Sequence, residues 1–255
     1  MTAVSRRLAI ATLVFGWTQL AHAQTAEEIV EKHLAAIGGR AALAKLTSRT
    51  MTGTITVSTP GGDISGPVEL VAQQPNKTRM LIKLDLSALG AGQMVFDQRF
   101  NGETGYVLDS MQGNREISGD QLDTMRNNVF PTPFLNYKAQ GATVELGGKE
   151  KVGGRDAYVV ILKPKSGAAV RQFFDAETFL PVRLIVKITL PQIGDVEQTT
   201  DLSDFRDVDG VKVPFAITAS SAVQQSSITI TKVEHNTKVD DALFSKPPGA
   251  QDHER

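Results

Sequence analysis

The chain has 255 residues, no cysteine, and 27 Lys plus Arg against 28 Asp plus Glu. Its formal net charge of −1 leaves no basic excess for neutralising phosphates, which argues against a dedicated nucleic-acid binder. Because cysteine is absent, disulfides, thiolate zinc sites, iron–sulfur clusters and a cysteine nucleophile are excluded, as is a lipid-modified N-terminal cysteine.

The first segment of the chain has the pattern of a secretory signal peptide. Arg6 and Arg7 give it a positively charged start, a mostly apolar run covers residues 8–20, and Ala21-His22-Ala23 forms a small-x-small cleavage site. An anchoring transmembrane helix is the alternative, but the apolar run is shorter than a membrane span and is interrupted by polar residues. We therefore predict export across the inner membrane and cleavage of residues 1–23 after Ala23.

The segment after the predicted cleavage site indicates a helix. Thr25 as the N-cap and Glu28 three residues later form a capping box, an apolar stripe follows, and Gly38 with Gly39 ends the helix. A second short helical piece is predicted over residues 41–46.

A later insertion is also helical by its pattern. Ser118 and Gln121 match a second capping box, and apolar residues follow at helical spacing up to Pro131. An irregular stretch then extends to about residue 140.

The rest of the chain alternates with a period of two, in short β-branched runs separated by turn residues about every ten positions. This rhythm predicts an antiparallel sheet of about eleven or twelve strands in one domain, residues 24–245, followed by a flexible tail, residues 246–255. The dipeptide Asp209-Gly210 is the strongest hairpin turn signal. The predicted strands cover residues 49–58, 64–74, 78–87, 93–101, 105–110, 143–146, 156–163, 169–174, 182–190, 196–206, 212–219 and 227–235.

One face of several predicted strands is apolar and the other is polar. In the strand over residues 182–190, Leu184, Val186 and Ile188 share one face, while the other carries charged residues such as Arg183. Repeated over many strands, this alternation builds a curled sheet whose apolar concave face is too wide to be filled as tightly as a small barrel. Because the predicted helices could fill it, a self-filled core and a ligand cavity remain equal alternatives.

Apolar side chains on the predicted concave face and on the insertion are the candidates for lining such a cavity. They are Met80, Ile82, Leu84, Met94, Phe96, Tyr106, Met125, Phe130, Phe134, Tyr158, Val160, Leu162, Leu184, Val186 and Ile188.

No catalytic constellation is visible in the sequence. The three histidines of the predicted mature chain, His33, His235 and His253, are isolated, and none has a second histidine at the i+4 spacing of a helical zinc site. The chain lacks a G-x-S-x-G nucleophile elbow, and its glycine clusters match neither a phosphate-binding loop nor a dinucleotide fingerprint. We therefore predict no catalytic residue, no metal, no cofactor and no enzymatic activity.

Four segments together resemble a known family. Residues 26–39, 174–182, 204–214 and 233–244 are similar to the LolA-like outer-membrane lipoprotein-sorting proteins, in a divergent bacterial branch, and the resemblance spans nearly the whole predicted mature chain. It implies a half-open antiparallel β-barrel, here of about 11 strands, with an N-terminal helix and a helical insertion covering the concave face. The chain departs from that branch at Phe179, where glycine is usual.

The resemblance also implies a function. Better-known members carry lipoprotein acyl chains across the periplasm, so we expect a non-enzymatic periplasmic carrier that binds acyl chains of a lipoprotein or lipid in the concavity. Membrane-associated donor and acceptor proteins are candidate partners, and nucleic acid is not. The alternative is an envelope protein-interaction module with a self-filled core and no ligand. An enzyme acting on a lipid or carbohydrate is a third hypothesis, without supporting residues, and neither the cargo nor the oligomeric state follows from the sequence.

Overall fold

The computed structural model describes residues 24–87, 90–190, 194–247 and 250, with the side chains of 188–190 left out. The predicted signal peptide and most of the predicted flexible tail lie outside the described residues. Within them, the chain forms one antiparallel sheet of thirteen strands and three α-helices.

The helices are α1 (Ala26–Ala36), α2 (Arg40–Leu43) and α3 (Gly119–Asn127). The strands are β1 (Ser48–Thr59), β2 (Gly62–Gln73), β3 (Lys77–Asp85), β4 (Gln93–Phe100), β5 (Gly105–Asp109), β6 (Arg115–Ile117), β7 (Thr143–Val152), β8 (Arg155–Lys163), β9 (Val170–Asp175), β10 (Pro181–Leu190), β11 (Gly194–Val208), β12 (Val211–Ser220) and β13 (Gln225–His235).

The strand order divides the sheet into two wings, one formed by β1–β6 and the other by β7–β13. Strands that follow each other in the chain are neighbours in the sheet, except β6 and β7, which form its two edges. At the centre of the sheet β1 pairs with β13. The sheet is therefore curled but not closed into a barrel, which confirms the half-open architecture expected from the sequence. One strand was not predicted: β6 has three residues, too few to display a period of two.

The capping box predicted for α1 is present. The N–H of Glu28 donates to Thr25 Oγ1 at 3.2 Å, and the N–H of Thr25 donates to Glu28 Oε2 at 3.2 Å. The helix ends where Gly38 adopts a φ of +130°, and a β-carbon at that position would collide with the carbonyl of Gly210. The end of α1 is thus held closely against the β11–β12 hairpin.

The second predicted capping box is wrong. Ser118 stands at the N-cap of α3, but its side chain caps no backbone N–H. None of the residues of α3 is fully buried, because the helix lies across the opening of the sheet and one side of it stays in solvent. The helix exists where it was predicted, although its start is less well satisfied than its sequence suggested.

Helix α1 fills one half of the concave face. Its side chains Ile29, Val30 and Leu34 are almost inaccessible to solvent and form one core cluster with Phe174 and Val213 from the sheet. Burying an apolar side chain of this size contributes about 1.5–3 kcal/mol, so α1 is an integral part of the domain. A second, smaller cluster lies at the far end of β1–β4, and a third lies on the outer face of β8 and β9.

Two tight turns have left-handed backbone. Asp209 and Gly210 have φ values of +54° and +78°, as expected of the predicted two-residue hairpin turn. Phe179 has a φ of +57°, a conformation that glycine adopts freely and that is strained for a side chain. The ring of Phe179 stacks on Tyr158 with centroids 5.9 Å apart, and Lys32 Nζ lies 5.0 Å from its centroid.

A pair of substitutions at Phe179 separates backbone strain from ring packing. Both Phe179→Gly and Phe179→Ala remove the ring, but only glycine relieves the left-handed conformation. We expect the free energy of unfolding of Phe179→Gly to be about 1 kcal/mol higher than that of Phe179→Ala. Urea denaturation of both variants measures this difference, and equal stabilities would contradict the assignment of strain to this turn.

Candidate ligand-binding cavity

A cavity of about 580 Å³ lies between the two wings of the sheet. One wall is built from β1–β4 and the other from β8–β10. A lid, consisting of α3 and residues 128–142, crosses between the walls. Apolar lining side chains are Met51, Leu70, Ala72, Met80, Met125, Phe134, Ala142, Leu162, Val170, Leu184 and Val186. The volume falls within the range of about 300–1,000 Å³ that is typical of small-molecule sites.

The period-two pattern explains why these residues meet. Leu70 pairs with Met80 and with Met51 across neighbouring strands, so all three side chains point to the same face. On the opposite wall, Val186 pairs with Val170 by the same rule. The two apolar stripes face each other because the sheet curls, and the lid closes the space above them.

The structure brings part of the predicted set together at the cavity. Met80, Met125, Phe134, Leu162, Leu184 and Val186 are lining residues. Ile82, Leu84 and Met94 pack in the smaller cluster at the far end of β1–β4, and Phe96, which pairs with Ile82, lies on the same face. The predicted Ile188 side chain lies outside the described residues.

Three further predicted residues pack in or beside the main core cluster and are not among the residues that line the cavity. Val160 has no solvent exposure and belongs to the main core cluster. Phe130 is buried in that cluster, and Tyr158 stacks on Phe179. The single wide concavity expected from the sequence is therefore two regions, because α1 fills one of them with its own side chains.

Tyr106, also predicted to line the cavity, lies on the outer face of the sheet. It pairs with Arg99, and on that outer face Arg99 Nη1 donates to the Ser245 carbonyl at 3.1 Å. Lys246 Nζ lies 4.7 Å from the centroid of the Tyr106 ring. The neighbouring Gln98, one residue along β4, lines the cavity, so alternation places Arg99 and its partner Tyr106 outside.

Arg49 was not among the predicted site residues, yet it lines the cavity. Its guanidinium carbon lies 5.3 Å from the centroid of Phe130, and burial lowers the pKa of Arg49 to about 10. The group remains charged at neutral pH. A signal was available in the sequence, because Arg49 and Met51 share one face of β1, but a search for apolar residues alone passes over it.

Aromatic rings attach the lid to α1. The centroid of Phe134 lies 5.7 Å from that of His33 and 5.6 Å from that of Phe174, while the His33 and Phe174 centroids are 4.5 Å apart. All three side chains are buried, and such aromatic pairs contribute about 0.5–1.5 kcal/mol beyond their buried area. His33 Nδ1 also lies 3.2 Å from the carbonyl oxygen of Phe179, to which it can donate.

Hydrogen bonds tie the lid to both walls. The N–H of Phe130 donates to the carbonyl of Pro75, between β2 and β3, at 2.8 Å. Asn127 Nδ2 donates to the carbonyl of Ser166, between β8 and β9, also at 2.8 Å. The lid is therefore held to the two walls by hydrogen bonds and to α1 by the ring cluster of His33, Phe134 and Phe174.

His33 should make folding stability depend on pH. Burial lowers the pKa of His33 to about 4, against the smaller opposing effect of the bond to the Phe179 carbonyl. The unfolded chain binds a proton at the ordinary pKa of about 6.5, so protonation between these values favours unfolding. Proton uptake by His33 in the unfolded chain should therefore lower the free energy of unfolding by about 3 kcal/mol as the pH falls from 6.5 to 4.

The matched variant for this prediction is His33→Gln, which removes the titration and keeps a polar side chain. Urea denaturation between pH 7 and pH 4 should show a steeper loss of stability in the wild type than in His33→Gln. Parallel pH profiles for the two proteins would contradict the buried, neutral histidine.

Comparison with solved structures identifies the architecture. A lipoprotein-sorting protein domain from Vibrio parahaemolyticus, described as a putative outer-membrane one, matches with a TM-score of 0.54 at 12% identity, covering 86% of this chain and 95% of the other. A LolA superfamily protein from Nitrosomonas europaea matches with a TM-score of 0.54 at 15% identity, covering 88% and 99% of the two chains. The fold is LolA-like.

A third solved structure matches to a similar extent. A DUF1329 family protein from Desulfovibrio piger has a TM-score of 0.55 at 14% identity and covers 86% of this chain and 95% of its own. No protein-family model and no curated protein matches the sequence. At such identities the similarity establishes the LolA-like fold alone.

Two further observations concern the described residues only. None of their helices combines the length and apolarity that crossing a bilayer requires. They also contain no group of three or more His, Cys, Asp or Glu side chains arranged to hold a metal ion.

Proposed function

We propose that this protein is an exported, non-enzymatic carrier that binds an acyl chain of a lipid or an acylated lipoprotein in the cavity beneath the lid. The single observation that carries the proposal is the cavity of about 580 Å³ between two apolar walls. The LolA-like fold supports it, since one of the structures with this fold is described as an outer-membrane lipoprotein-sorting domain. Cleavage after Ala23 and residence in the periplasm belong to the same proposal.

Burial of methylene groups would supply the affinity. Each methylene transferred from water contributes about 0.8 kcal/mol, so ten buried methylenes contribute about 8 kcal/mol before ordering costs are subtracted. A cavity of this volume suits a ligand of drug-like size. We therefore expect about one long acyl chain to be enclosed at a time.

Entry and release require movement of the lid. The cavity is covered by α3 and residues 128–142. Phe130 and Phe134 anchor the second part of this lid in the core, whereas α3 has no buried residue and is tied to the wall by hydrogen bonds such as that of Asn127 to the Ser166 carbonyl. We propose an equilibrium between a closed state and a state in which α3 moves away, with the ligand or a membrane-associated donor or acceptor protein shifting the populations.

The second candidate function is a protein-interaction module with a self-filled core. The observation in its favour is α1, whose apolar residues fill one half of the concave face. The other half contains the cavity, so we favour the carrier.

Titration of delipidated mature protein with a fluorescent long-chain acyl probe distinguishes the carrier function from the protein-interaction function. The carrier predicts saturable binding with a stoichiometry of about one and competition by unlabelled fatty acid. Ala72→Trp should block binding, because Ala72 lines the cavity and the indole would occupy it. Ala35→Trp, at an exposed position of α1, is the matched control and should bind normally. Absence of saturable binding to the wild type would overturn the carrier function.

A further inference from the structure

Arg49 has an unusual position for an arginine. It is the second residue of the central strand β1 and lines the cavity among apolar side chains. Its Nε atom is buried and has no hydrogen-bond partner. Its described contact is the face of the Phe130 ring, which attracts a cation less strongly than a carboxylate does. A buried guanidinium donor without an acceptor is costly, so an acceptor supplied by a ligand would be strongly favoured.

The charges around Arg49 do not balance it. No Asp or Glu is found among the described residues that line the cavity, whereas Arg49 and Lys165 both line it. Arg79 is also a lining residue, but it pairs with the outward-facing Arg99, and its guanidinium is bound to Asp97 and Glu69. The lining of the cavity therefore carries a net positive charge that the described side chains leave uncompensated.

The titratable residue paired with Arg49 on the neighbouring strand does not supply a negative charge either. His235 pairs with Arg49 across β1 and β13, and its Nδ1 lies 3.2 Å from Asp209 Oδ2. Burial lowers the pKa of His235, the positive charge of Arg49 lowers it further, and the contact with Asp209 opposes both. His235 is therefore neutral at pH 7, and Asp209 is committed to the hairpin turn and this histidine.

We propose that Arg49 binds the anionic oxygen headgroup of the acyl ligand, so that the cavity selects acidic amphiphiles over neutral ones with the same chain. A carboxylate or a phosphate would accept hydrogen bonds from the guanidinium, which has the planar, multi-donor geometry that suits both groups. The chain would then lie along Met51, Leu70 and Met80, which continue from Arg49 on the same wall. This inference rests on the proposed carrier function and adds the chemical class of its ligand.

Four probes with the same hydrocarbon chain test the headgroup: palmitate, hexadecyl phosphate, methyl palmitate and hexadecanol. We expect wild-type protein to bind palmitate or hexadecyl phosphate at least tenfold more tightly than methyl palmitate and hexadecanol. The order of the two acids tells whether a carboxylate or a phosphate is preferred. Arg49→Met should bring all four affinities to within about twofold of one another, without weakening methyl palmitate.

Two further variants keep the test decisive. Arg49→Lys retains the charge and should retain a preference for the acids, so it reports on the site even if Arg49→Met unfolds. Lys238→Met removes a positive charge at an exposed position that does not line the cavity, and it should leave the preference intact. Equal binding of all four probes by the wild type, or an unchanged acid preference in Arg49→Met, would contradict the headgroup site at Arg49. Neither result would contradict the carrier function. Failure of all four to bind would overturn the carrier itself.

Discussion

Leu184→Asp is expected to lower the affinity for a long-chain acyl probe at least 100-fold. Leu184 lines the cavity from β10, opposite Met80 on the other wall, and its side chain is only half-buried in the free protein. A carboxylate there can remain hydrated while the cavity is empty, but an acyl chain would displace that water. The cost of desolvating an unpaired charge amounts to several kcal/mol, which exceeds the contribution of any single methylene.

The control for this variant is Val223→Asp, which adds the same charge to a position that is 54% exposed in the loop between β12 and β13. It should bind the probe like the wild type. Circular dichroism and urea denaturation establish that both variants fold. A folded Leu184→Asp protein with wild-type affinity would remove this wall from the binding site.

Phe174→Ala is expected to lower the free energy of unfolding by about 3–5 kcal/mol. The Phe174 side chain has no solvent exposure and contacts the rings of both His33 and Phe134. Its removal leaves a void at the junction of α1, the lid and the sheet, where several elements meet and none can close the gap alone. A measured loss below about 1 kcal/mol in urea denaturation would contradict the view that this ring cluster holds the lid to the domain.

Phe173→Ala distinguishes the ring cluster from general loss of core packing. Phe173 is equally buried but packs on the outer face with Ala157 and Val159, remote from the lid. It should also destabilise the protein by several kcal/mol. We expect proteolysis within residues 128–142 to accelerate more in Phe174→Ala than in Phe173→Ala, because only the first loosens the attachment of the lid.

The alternation of side chains predicted most of the fold. The period of two in the strands, the capping box of Thr25 and Glu28, and the Asp209-Gly210 turn are local signals, and the structure confirms each of them. The sheet could therefore be predicted without coordinates. The position of helix α3 could be predicted as well, but its N-cap hydrogen bond could not. Residue spacing alone does not determine the side-chain geometry on which such a bond depends.

The site was less predictable for a specific reason. Alternation tells which residues of one strand share a face, but pairing across the sheet decides which face is inside. Tyr106 was assigned inward, and its register with Arg99 places it outside. Likewise, nothing in the apolar stripe of α1 says how far the helix reaches into the concavity, so Val160 was predicted to line a cavity that α1 in fact fills.

Photo-crosslinking with a palmitate analogue that carries a diazirine in its chain tests the central claim most directly. Delipidated mature protein would be saturated with the analogue, irradiated, digested and mapped by mass spectrometry. The proposed carrier predicts adducts on β3 and β10 around Met80 and Leu184, and their suppression by excess unlabelled palmitate. Adducts confined to the outer face around Tyr106 and Arg99, or no competable adduct at all, would contradict a ligand-binding cavity between the two wings of the sheet.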